Sequence, residues 1–343
     1  MVLEELFSSC LKAILVIVYS VSYQSIVSEF LRIVCGVPQG SVLGPILFIL
    51  YINDTYRSST FLKFLLFADD TTILCTGKIF SELSAKITEE LKTVSIWFKA
   101  NKLSLNISKT NYIAFMNSGH ASAVPVFLDG QPIKQVTTTK FLGVEIDDNI
   151  SWKIHVKKVE QKLASAIGVI SKLRYKINKD TALLLYDTMV LPHLSYCNIV
   201  WASTYKTTLS KLFCLQKRAL RICTSAAKDS PSAALFINTN KLTIYDINKF
   251  QVAKFIYCFY NSLLPRVFNS MFNLVDRIHQ YKTRNEGKLF THHCKTNIRK
   301  FSIGIAGPSL WNSIPINIKE SFSLPIFESH LRKLLIVSSC GTS

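Results

Sequence analysis

Acidic residues are scarce in this chain, with 22 Asp and Glu against 40 Lys and Arg and a formal net charge of +18. A basic excess of this size attracts polyanions, so a nucleic-acid backbone is the expected partner. The nine cysteines are an odd number, and no two of them have Cys-x-x-Cys spacing. That usage excludes a disulfide framework and favours reduced thiols inside a cell.

Apolar runs long enough to span a membrane are also lacking. The run at residues 11–21 is interrupted by Lys12 and Ser20, and a span needs about twenty apolar residues. Glu4 and Glu5 stand where a secretory signal would carry positive charge. We therefore expect neither a membrane partner nor secretion. Residues 1–22 are either a buried helix or strand or translated sequence foreign to the rest of the chain, and we favour the second.

Two adjacent carboxylates, Asp69 and Asp70, lie within a largely apolar stretch at residues 61–74. The flanking residues are typical of two β-strands with the carboxylates at their junction. Adjacent carboxylates repel each other unless a cation intervenes, and Mg²⁺ suits because it binds carboxylate and phosphate oxygens. The alternative is an ordinary hairpin turn, in which Asp is common.

A segment rich in glycine and proline, residues 35–45, precedes the two carboxylates. It separates a short apolar run from a helix-like one at residues 46–52, and Pro45 suits the first turn of that helix. Gly40 has no side chain, so a ligand could approach the backbone closely there. The segment therefore has the composition of a binding loop.

These motifs resemble the palm of a reverse transcriptase, in the form found in non-LTR (LINE-type) retrotransposons. The matching segments are Gly-Val-Pro-Gln-Gly-Ser-Val-Leu-Gly-Pro at 36–45, Tyr-Ile-Asn-Asp at 51–54, Phe-Ala-Asp-Asp at 67–70, Asn-Lys-Leu-Ser-Leu-Asn-Ile-Ser-Lys-Thr at 101–110 and Phe-Leu-Gly-Val at 141–144. Segments 196–201 and 307–315 resemble sequences that follow the polymerase in these elements. Several motifs in one order are more specific than any single motif.

The resemblance implies RNA-directed DNA synthesis, in which a primer 3′-hydroxyl attacks the α-phosphate of a deoxynucleotide triphosphate. Two metal ions, Mg²⁺ or Mn²⁺, stabilise the attacking and leaving oxygens. The implied partners are an RNA template, a DNA primer and deoxynucleotide triphosphates. Priming at genomic DNA would take place in the nucleus.

The resemblance also implies a role for individual residues. Asp69 would be a direct metal ligand, with Asp70 beside it at the same site. Lys109 would lie near the triphosphate, although a solvated lysine after a strand is the alternative. The remaining residues would contact template and nucleotide (Pro38, Gln39 and Gly40) or form the primer grip (Phe141, Leu142 and Gly143).

One part of the family's metal site is not found in the sequence. The family carries a further Asp on a Phe-x-Asp strand upstream of the Pro-Gln-Gly motif, but the 34 residues before Cys35 contain no Asp. Their only carboxylates are Glu4, Glu5 and Glu29. The basic fingers that hold the triphosphate are not found either. We predict that these 343 residues alone do not extend a primer, because an incomplete site does not hold two metal ions.

Basic residues are concentrated at residues 151–223, where thirteen Lys and Arg accompany three acidic residues. Apolar residues recur there every three or four positions, which predicts helices that are buried on one face. One apolar set is Trp152, Val156, Val159, Leu163, Ile167, Ile170 and Leu173, and the other is Leu209, Leu212, Leu215, Ala219 and Ile222. We interpret the region as a polymerase thumb; the alternative is an ordinary solvated basic face. The residues proposed to contact the nucleic-acid backbone are Lys153, Lys157, Lys158, Lys162, Arg218 and Arg221.

The predicted fold class is α+β. A partial polymerase palm, consisting of an antiparallel sheet with packed helices, precedes an all-α thumb and a mostly helical C-terminal region. The predicted boundaries are 1–22 for the apolar N-terminal segment, 23–150 for the palm, 151–230 for the thumb and 231–343 for the C-terminal region. Within the palm we predict a helix with apolar positions 80, 83, 87, 91, 94 and 98, and strands at 110–116 and 125–129.

Three functional interpretations stay open from the sequence. The first is part of a reverse transcriptase that is inactive as this isolated chain. The second is a non-catalytic nucleic-acid-binding remnant that uses the basic thumb. The third is a decayed relic.

Overall fold

The computed structural model describes residues 18–19, 22–23, 25–29, 31–32, 40–116, 124–275 and 288–338. The chain divides into two compact units. Unit 1 comprises Met1–Tyr112 and Gly119–Gln135, and unit 2 comprises Ile113–Ser118 and Val136–Ser343. The candidate palm motifs up to residue 110 belong to unit 1, and the candidate thumb belongs to unit 2.

Within its described residues, unit 1 combines short strand pairs with two α-helices. Its strands are β1 (Val18–Tyr19), β2 (Ser22–Tyr23), β3 (Ile26–Val27), β4 (Leu31–Arg32), β5 (Lys63–Phe67), β6 (Asp70–Leu74), β7 (Asn111–Tyr112), β8 (Phe127–Leu128), β9 (Gln131–Pro132) and β10 (Lys134–Gln135). The pairs β1–β4, β2–β3, β5–β6 and β8–β9 are antiparallel, whereas β7–β10 is parallel. The helices are α1 (Gly44–Ile52) and α2 (Phe80–Ala100).

The core of unit 1 forms around α2, as its apolar spacing predicts. Three of its predicted apolar positions, Leu91, Val94 and Phe98, are buried. The other buried apolar residues of this core are Ile52, Leu62, Val126, Leu128 and Ile133. Polar contacts join α2 to the β8–β9 turn, since Ser95 donates to the Asp129 carboxylate at 2.6 Å and Lys99 pairs with it at 2.9 Å. The Ser95 hydroxyl and the Lys99 ammonium lower the pKa of Asp129.

The described part of unit 2 contains one β-hairpin followed by helices. The hairpin is β11 (Thr138–Phe141) with β12 (Val144–Asp147). The helices are α3 (Lys153–Leu173), α4 (Lys179–Leu185), α5 (Leu191–Ser195), α6 (Asn198–Trp201), α7 (Lys206–Thr224), α8 (Ser232–Asn238), α9 (Ile244–Tyr260), α10 (Asn297–Phe301), α11 (Ile303–Ser313), α12 (Ile316–Lys319) and α13 (Leu324–Ser338). A π-helical segment, Tyr186–Val190, connects α4 to α5.

Helices α3 and α7 pack against each other through the apolar faces that the sequence predicts. Most residues of the two predicted sets are buried, whereas Leu173 at the end of α3 is exposed. The fully buried Gln216 donates to the Tyr186 hydroxyl and to the Leu242 carbonyl and accepts from the Ile244 amide. Every polar atom of this buried amide group therefore has a partner, as a polar group in a core requires.

The C-terminal helices join the same core instead of forming a separate unit. Helix α9 packs against α11 and α13, and the rings of Tyr257 and Phe327 stack with centroids 4.3 Å apart. Trp311 of α11 is buried and stacks on Tyr260 at 5.2 Å. Unit 2 therefore includes both the predicted thumb at 151–230 and the predicted region at 231–343.

The α+β class is confirmed, but the strands differ in detail from the prediction. The described sheets are all two-stranded. We expected one antiparallel palm sheet, whereas the described strands form separate pairs. The strands predicted at 110–116 and 125–129 are only two residues long, Asn111–Tyr112 and Phe127–Leu128. Unit 1 ends at Gln135, and the β11–β12 hairpin packs with α3 in unit 2. The predicted boundaries of palm, thumb and C-terminal region stay predictions.

No helix in the described ranges has both the length and the apolar character needed to cross a membrane. The six cysteines of the described part of the chain are unpaired.

Candidate functional site

The two carboxylates lie at the tip of the β5–β6 hairpin, as the sequence predicts. Phe67 pairs with Asp70, so Ala68 and Asp69 form a two-residue turn. Ala68 has a φ of +50°, which is uncommon for a residue with a Cβ and indicates local backbone strain. Asp69 and Asp70 are both exposed. The hairpin therefore presents two negative charges to solvent on a constrained backbone.

These carboxylates have the right chemistry for a hard divalent cation, since they are oxygen ligands. In the described parts of the chain, no three His, Cys, Asp or Glu side chains are grouped so that they could hold a metal ion. Asp69 and Asp70 alone therefore fit the type of site in which one or two carboxylates share the cation with substrate phosphates and water.

The glycine- and proline-rich segment is described only in part. Pro38 and Gln39 lie outside the described residues, so their predicted contacts with template and nucleotide stay predictions. Gly40 is exposed, and its φ of +85° requires a residue without a Cβ. Among the described residues, none beyond its chain neighbours has an atom within 4 Å of a Cβ built at this glycine.

Lys109 is exposed at the end of a turn. The side-chain oxygen of Asn106 accepts hydrogen bonds from the Lys109 amide at 3.1 Å and from the Ser108 hydroxyl at 2.7 Å. The turn fixes the backbone and leaves the ammonium group at the surface. Both interpretations of Lys109, as a charge partner of a triphosphate and as a solvated lysine, stay open.

The candidate primer grip is the turn of the β11–β12 hairpin in unit 2. Phe141 pairs with Val144, so Leu142 and Gly143 are the two turn residues. Their φ values are +44° and +85°, the combination that a type I′ hairpin turn requires. Phe141, Leu142 and Gly143 thus belong to one structural feature, as the resemblance implies.

The turn also contacts Tyr196, a residue to which the sequence assigned no role in the site. The Tyr196 hydroxyl donates to the Leu142 carbonyl at 2.6 Å. A Cβ added at Gly143 would lie 3.3 Å from the Tyr196 ring. No periodicity or local motif could have revealed this contact, because the two residues are 54 positions apart.

The base of the same hairpin is held by α3. The buried His155 accepts a hydrogen bond through Nδ1 from the Glu145 amide at 3.2 Å. The Glu145 carboxylate pairs with Lys158 at 2.6 Å. The Asp147 carboxylate accepts from the amides of Ser151 and Trp152 at the start of the helix. The hairpin is therefore an extension of the helical unit.

The burial of His155 leads us to predict that the stability of the chain depends on pH. Burial lowers the pKa of His155, with a partial opposing effect of Glu145. The unfolded chain, with a histidine pKa of about 6.5, binds a proton that the folded chain does not, so stability is lost as the pH falls below about 6.5. We expect the free energy of unfolding to decrease between pH 7.5 and pH 5.5 by at most about 1.4 kcal/mol from this residue.

Urea unfolding of a His155→Asn chain at both pH values measures this contribution. Asn keeps an acceptor for the Glu145 amide but does not titrate, so the variant should lose less stability than the native chain. His293→Asn is the matched control, since His293 is exposed. An equal loss in the His155→Asn and native chains would contradict the assignment.

The predicted backbone-contacting residues differ in their surroundings. Lys153, Lys157 and Lys162 are exposed on α3, and Arg218 is exposed on α7. Lys158 is also exposed but is ion-paired with Glu145, as described above. Arg221 is half-buried and donates to the Ser230 carbonyl at 3.1 Å, so part of its guanidinium group holds the segment after α7.

Comparison with known proteins agrees with these features. Residues 3–146 match the family described as "Reverse transcriptase (RNA-dependent DNA polymerase)". This range includes residues 3–22, for which we favoured an origin foreign to the rest of the chain, and the match does not support that preference. No solved structure matches this chain.

The relatives are proteins of mobile elements. The chain is 25% identical over 239 residues to the "Probable RNA-directed DNA polymerase from transposon X-element" of Drosophila melanogaster, with 67% of this chain and 26% of that protein covered. It is 27% identical over 213 residues to the "RNA-directed DNA polymerase from mobile element jockey" of the same species, with 59% and 23% covered. A third relative, the "Retrovirus-related Pol polyprotein from type-1 retrotransposable element R1 2" of Nasonia vitripennis, is 28% identical over 184 residues, with 50% and 44% covered.

The chain spans about a quarter of the length of the two Drosophila relatives. The family match covers the two carboxylates, the Gly40 segment and the β11–β12 turn. Residues 3–146 of this chain therefore match the reverse transcriptase family, and the relatives of the chain are polymerases and polyproteins of transposons and retrotransposable elements.

Proposed function

We propose that this chain supplies the nucleotidyl-transfer turn and the duplex-binding helices of a non-LTR retrotransposon reverse transcriptase. The observation that carries the proposal is the β5–β6 turn, which exposes Asp69 and Asp70 on a strained two-residue loop. The names of the relatives, which are RNA-directed DNA polymerases, support the same reaction. The substrates are deoxynucleotide triphosphates, a DNA primer and an RNA template.

The chemistry follows from the charge of the reacting groups. The family is divalent-metal dependent, and Mg²⁺ or Mn²⁺ held by Asp69 and Asp70 would offset the negative charge that develops during phosphoryl transfer. The two carboxylates would bind the metal ion at this turn and orient it. The exposed backbone at Gly40 approaches the template and nucleotide. Lys109 serves as a charge partner for the triphosphate. Most of the catalysis then comes from positioning and charge.

A chimera tests the reaction. The aligned part of this chain replaces its counterpart in the jockey polymerase, and primer extension is measured on an RNA template with and without a divalent metal. The proposal expects metal-dependent extension that needs the Asp69 carboxylate. Extension that does not depend on Asp69 would contradict it.

The isolated 343-residue chain is expected not to extend a primer, because the described carboxylate site contains only two acidic residues. The measurement is the same extension assay on the purified chain. Template-dependent extension that Asp69→Asn abolishes would contradict this prediction, while it would support the role of the two carboxylates.

Duplex binding without catalysis is the second candidate function. It is favoured by the exposed lysines of α3, which lie opposite the buried face of that helix. Phosphate contacts of this kind are independent of base sequence. This function requires no metal site, so the isolated chain can perform it.

Binding to an RNA–DNA duplex should be strongly salt-dependent. Four phosphate contacts predict a loss of affinity of about 10²-fold between about 50 and 200 mM salt, since each contact releases counterions. Fluorescence anisotropy measures the slope, and Lys157→Gln and Lys162→Gln should each reduce it by about one. Lys333→Gln, at an exposed lysine of α13, is the matched control. No binding at low salt would contradict this function and favour a decayed relic.

Location in the nucleus is part of the proposal, because priming at genomic DNA brings the enzyme to chromosomes. A tagged chain that stays outside the nucleus during active transposition would contradict it.

A further inference from the structure

Tyr196 has a contact pattern that core packing does not explain. Its side chain is 54% exposed, yet its hydroxyl is used in a 2.6 Å hydrogen bond to the Leu142 carbonyl. The ring lies against Gly143, so close that a Cβ there would be 3.3 Å away. The hydroxyl of an exposed tyrosine is thus hydrogen-bonded to a β-turn that lies 54 residues earlier in the chain.

The backbone of Tyr196 is itself fixed to the core of unit 2. Its amide donates to the Pro192 carbonyl at 2.9 Å, and its carbonyl accepts from the indole nitrogen of Trp201 at 2.8 Å. Trp201 is completely buried. Cys197, the next residue, has a φ of +49°, so the chain turns sharply between Tyr196 and α6. The hydroxyl therefore projects from a rigid support.

The hairpin is consequently held at both ends. Its base is bound to α3 through Glu145 and to the residues just before that helix through Asp147, and its turn is bound by Tyr196. The two turn residues have positive φ values, and free hairpin ends are among the more mobile parts of a fold. The Tyr196 hydrogen bond restricts this motion at the turn that the resemblance identifies as the primer grip.

We propose that Tyr196 is a positioning residue that holds the Leu142–Gly143 turn in the geometry required to bind the 3′ end of a primer. This inference rests on the proposed function, since it assumes that the turn contacts the primer. The ligand is a recessed RNA–DNA duplex, and the contribution of Tyr196 acts through the turn and not through a direct contact with the reacting atoms.

The test compares Tyr196→Phe, which removes the hydroxyl and keeps the ring, with Tyr205→Phe. Tyr205 is 50% exposed in the same unit, so it controls for the loss of an exposed hydroxyl. Hydrogen exchange of the 138–147 peptide is measured in the intact chain. We expect exchange at the turn to be at least about threefold faster in Tyr196→Phe, because one hydrogen bond holding the turn is lost. Tyr205→Phe should leave it unchanged.

Binding to primer-template gives the functional measurement. The native chain should bind an RNA–DNA duplex with a recessed DNA 3′ end more tightly than a blunt duplex. Tyr196→Phe should weaken binding to the recessed duplex about fivefold, the effect of one neutral hydrogen bond, and leave blunt-duplex binding unchanged. A purely structural role would weaken both equally, and that result would overturn the inference.

The possible failures are distinguishable. A native chain that binds neither duplex overturns the proposed function, and the inference fails with it. A native chain that prefers the recessed duplex, with Tyr196→Phe binding it equally well, overturns the inference alone. Unchanged hydrogen exchange in Tyr196→Phe also overturns it, because the turn is then not held by the hydroxyl.

Discussion

Replacing Asp69 with Asn is expected to reduce RNA-templated extension by the jockey chimera by about 10³-fold. The substitution keeps the size of the side chain and removes its charge, at a turn where both carboxylates are exposed. A metal-bound carboxylate contributes several kcal/mol to stabilising the charge of a transferred phosphate. A loss of about 4 kcal/mol corresponds to three factors of ten in rate.

Control variants separate this effect from a general effect of charge. Glu89→Gln removes an exposed carboxylate from α2 in the same unit and should change the rate by less than about twofold. Asp70→Asn should have a smaller effect than Asp69→Asn, because the resemblance makes Asp69 the direct ligand. Similar losses in the Glu89 and Asp69 variants would show that net charge, and not a metal site, is responsible.

Replacing Trp201 with Ala is expected to reduce the free energy of unfolding of unit 2 by about 3–5 kcal/mol, the usual cost of removing a large aromatic side chain from a core. Trp201 is completely buried. Its indole N–H donates to the Tyr196 carbonyl at 2.8 Å, and its ring contacts His155 with centroids 5.1 Å apart. The substitution removes a packing group and a hydrogen-bond donor together.

Urea denaturation followed by circular dichroism measures this loss. Val200→Ala is the matched control, because Val200 precedes Trp201 in α6 and is 50% exposed; it should change stability by no more than about 0.5 kcal/mol. The Trp201 variant should also exchange hydrogen faster at the Leu142–Gly143 turn, since Tyr196 loses its support. A destabilisation below about 1 kcal/mol would mean that unit 2 can repack around the missing ring.

Much of the fold could be predicted from the sequence because its determinants are local. The apolar spacing of Leu91, Val94 and Phe98 specifies one buried face of α2, and that face is buried. The same reasoning identified α3 and α7. Pro45 lies in the first turn of α1, as its fixed φ favours. The prediction of two strands around Asp69 is confirmed. Strand-forming residues lie on both sides, so the turn can form only between them.

The extents of the strands and units could not be predicted in the same way. Strand length depends on which segments pair, and pairing is a property of distant residues. The β11–β12 hairpin belongs to unit 2 because Glu145 is bound by His155 and Lys158 of α3, and Asp147 is bound by the residues just before that helix. The C-terminal helices join the core of unit 2 through contacts such as that of Tyr257 with Phe327, which no local pattern contains.

Local information in the sequence is sufficient for the family resemblance, the order of the motifs, the positions of the main helices and the placement of Asp69 and Asp70 at a strand junction. These follow from residue identity, from spacing of 3.6 or 2 residues and from turn chemistry, all of which act over a few positions. The exposure of both carboxylates, the burial of His155 and the hydrogen bond from Tyr196 to the Leu142–Gly143 turn are known only from the folded chain. Exposure and long-range hydrogen bonds depend on which surfaces meet after folding, and the free energy of those contacts is distributed over residues far apart in the chain.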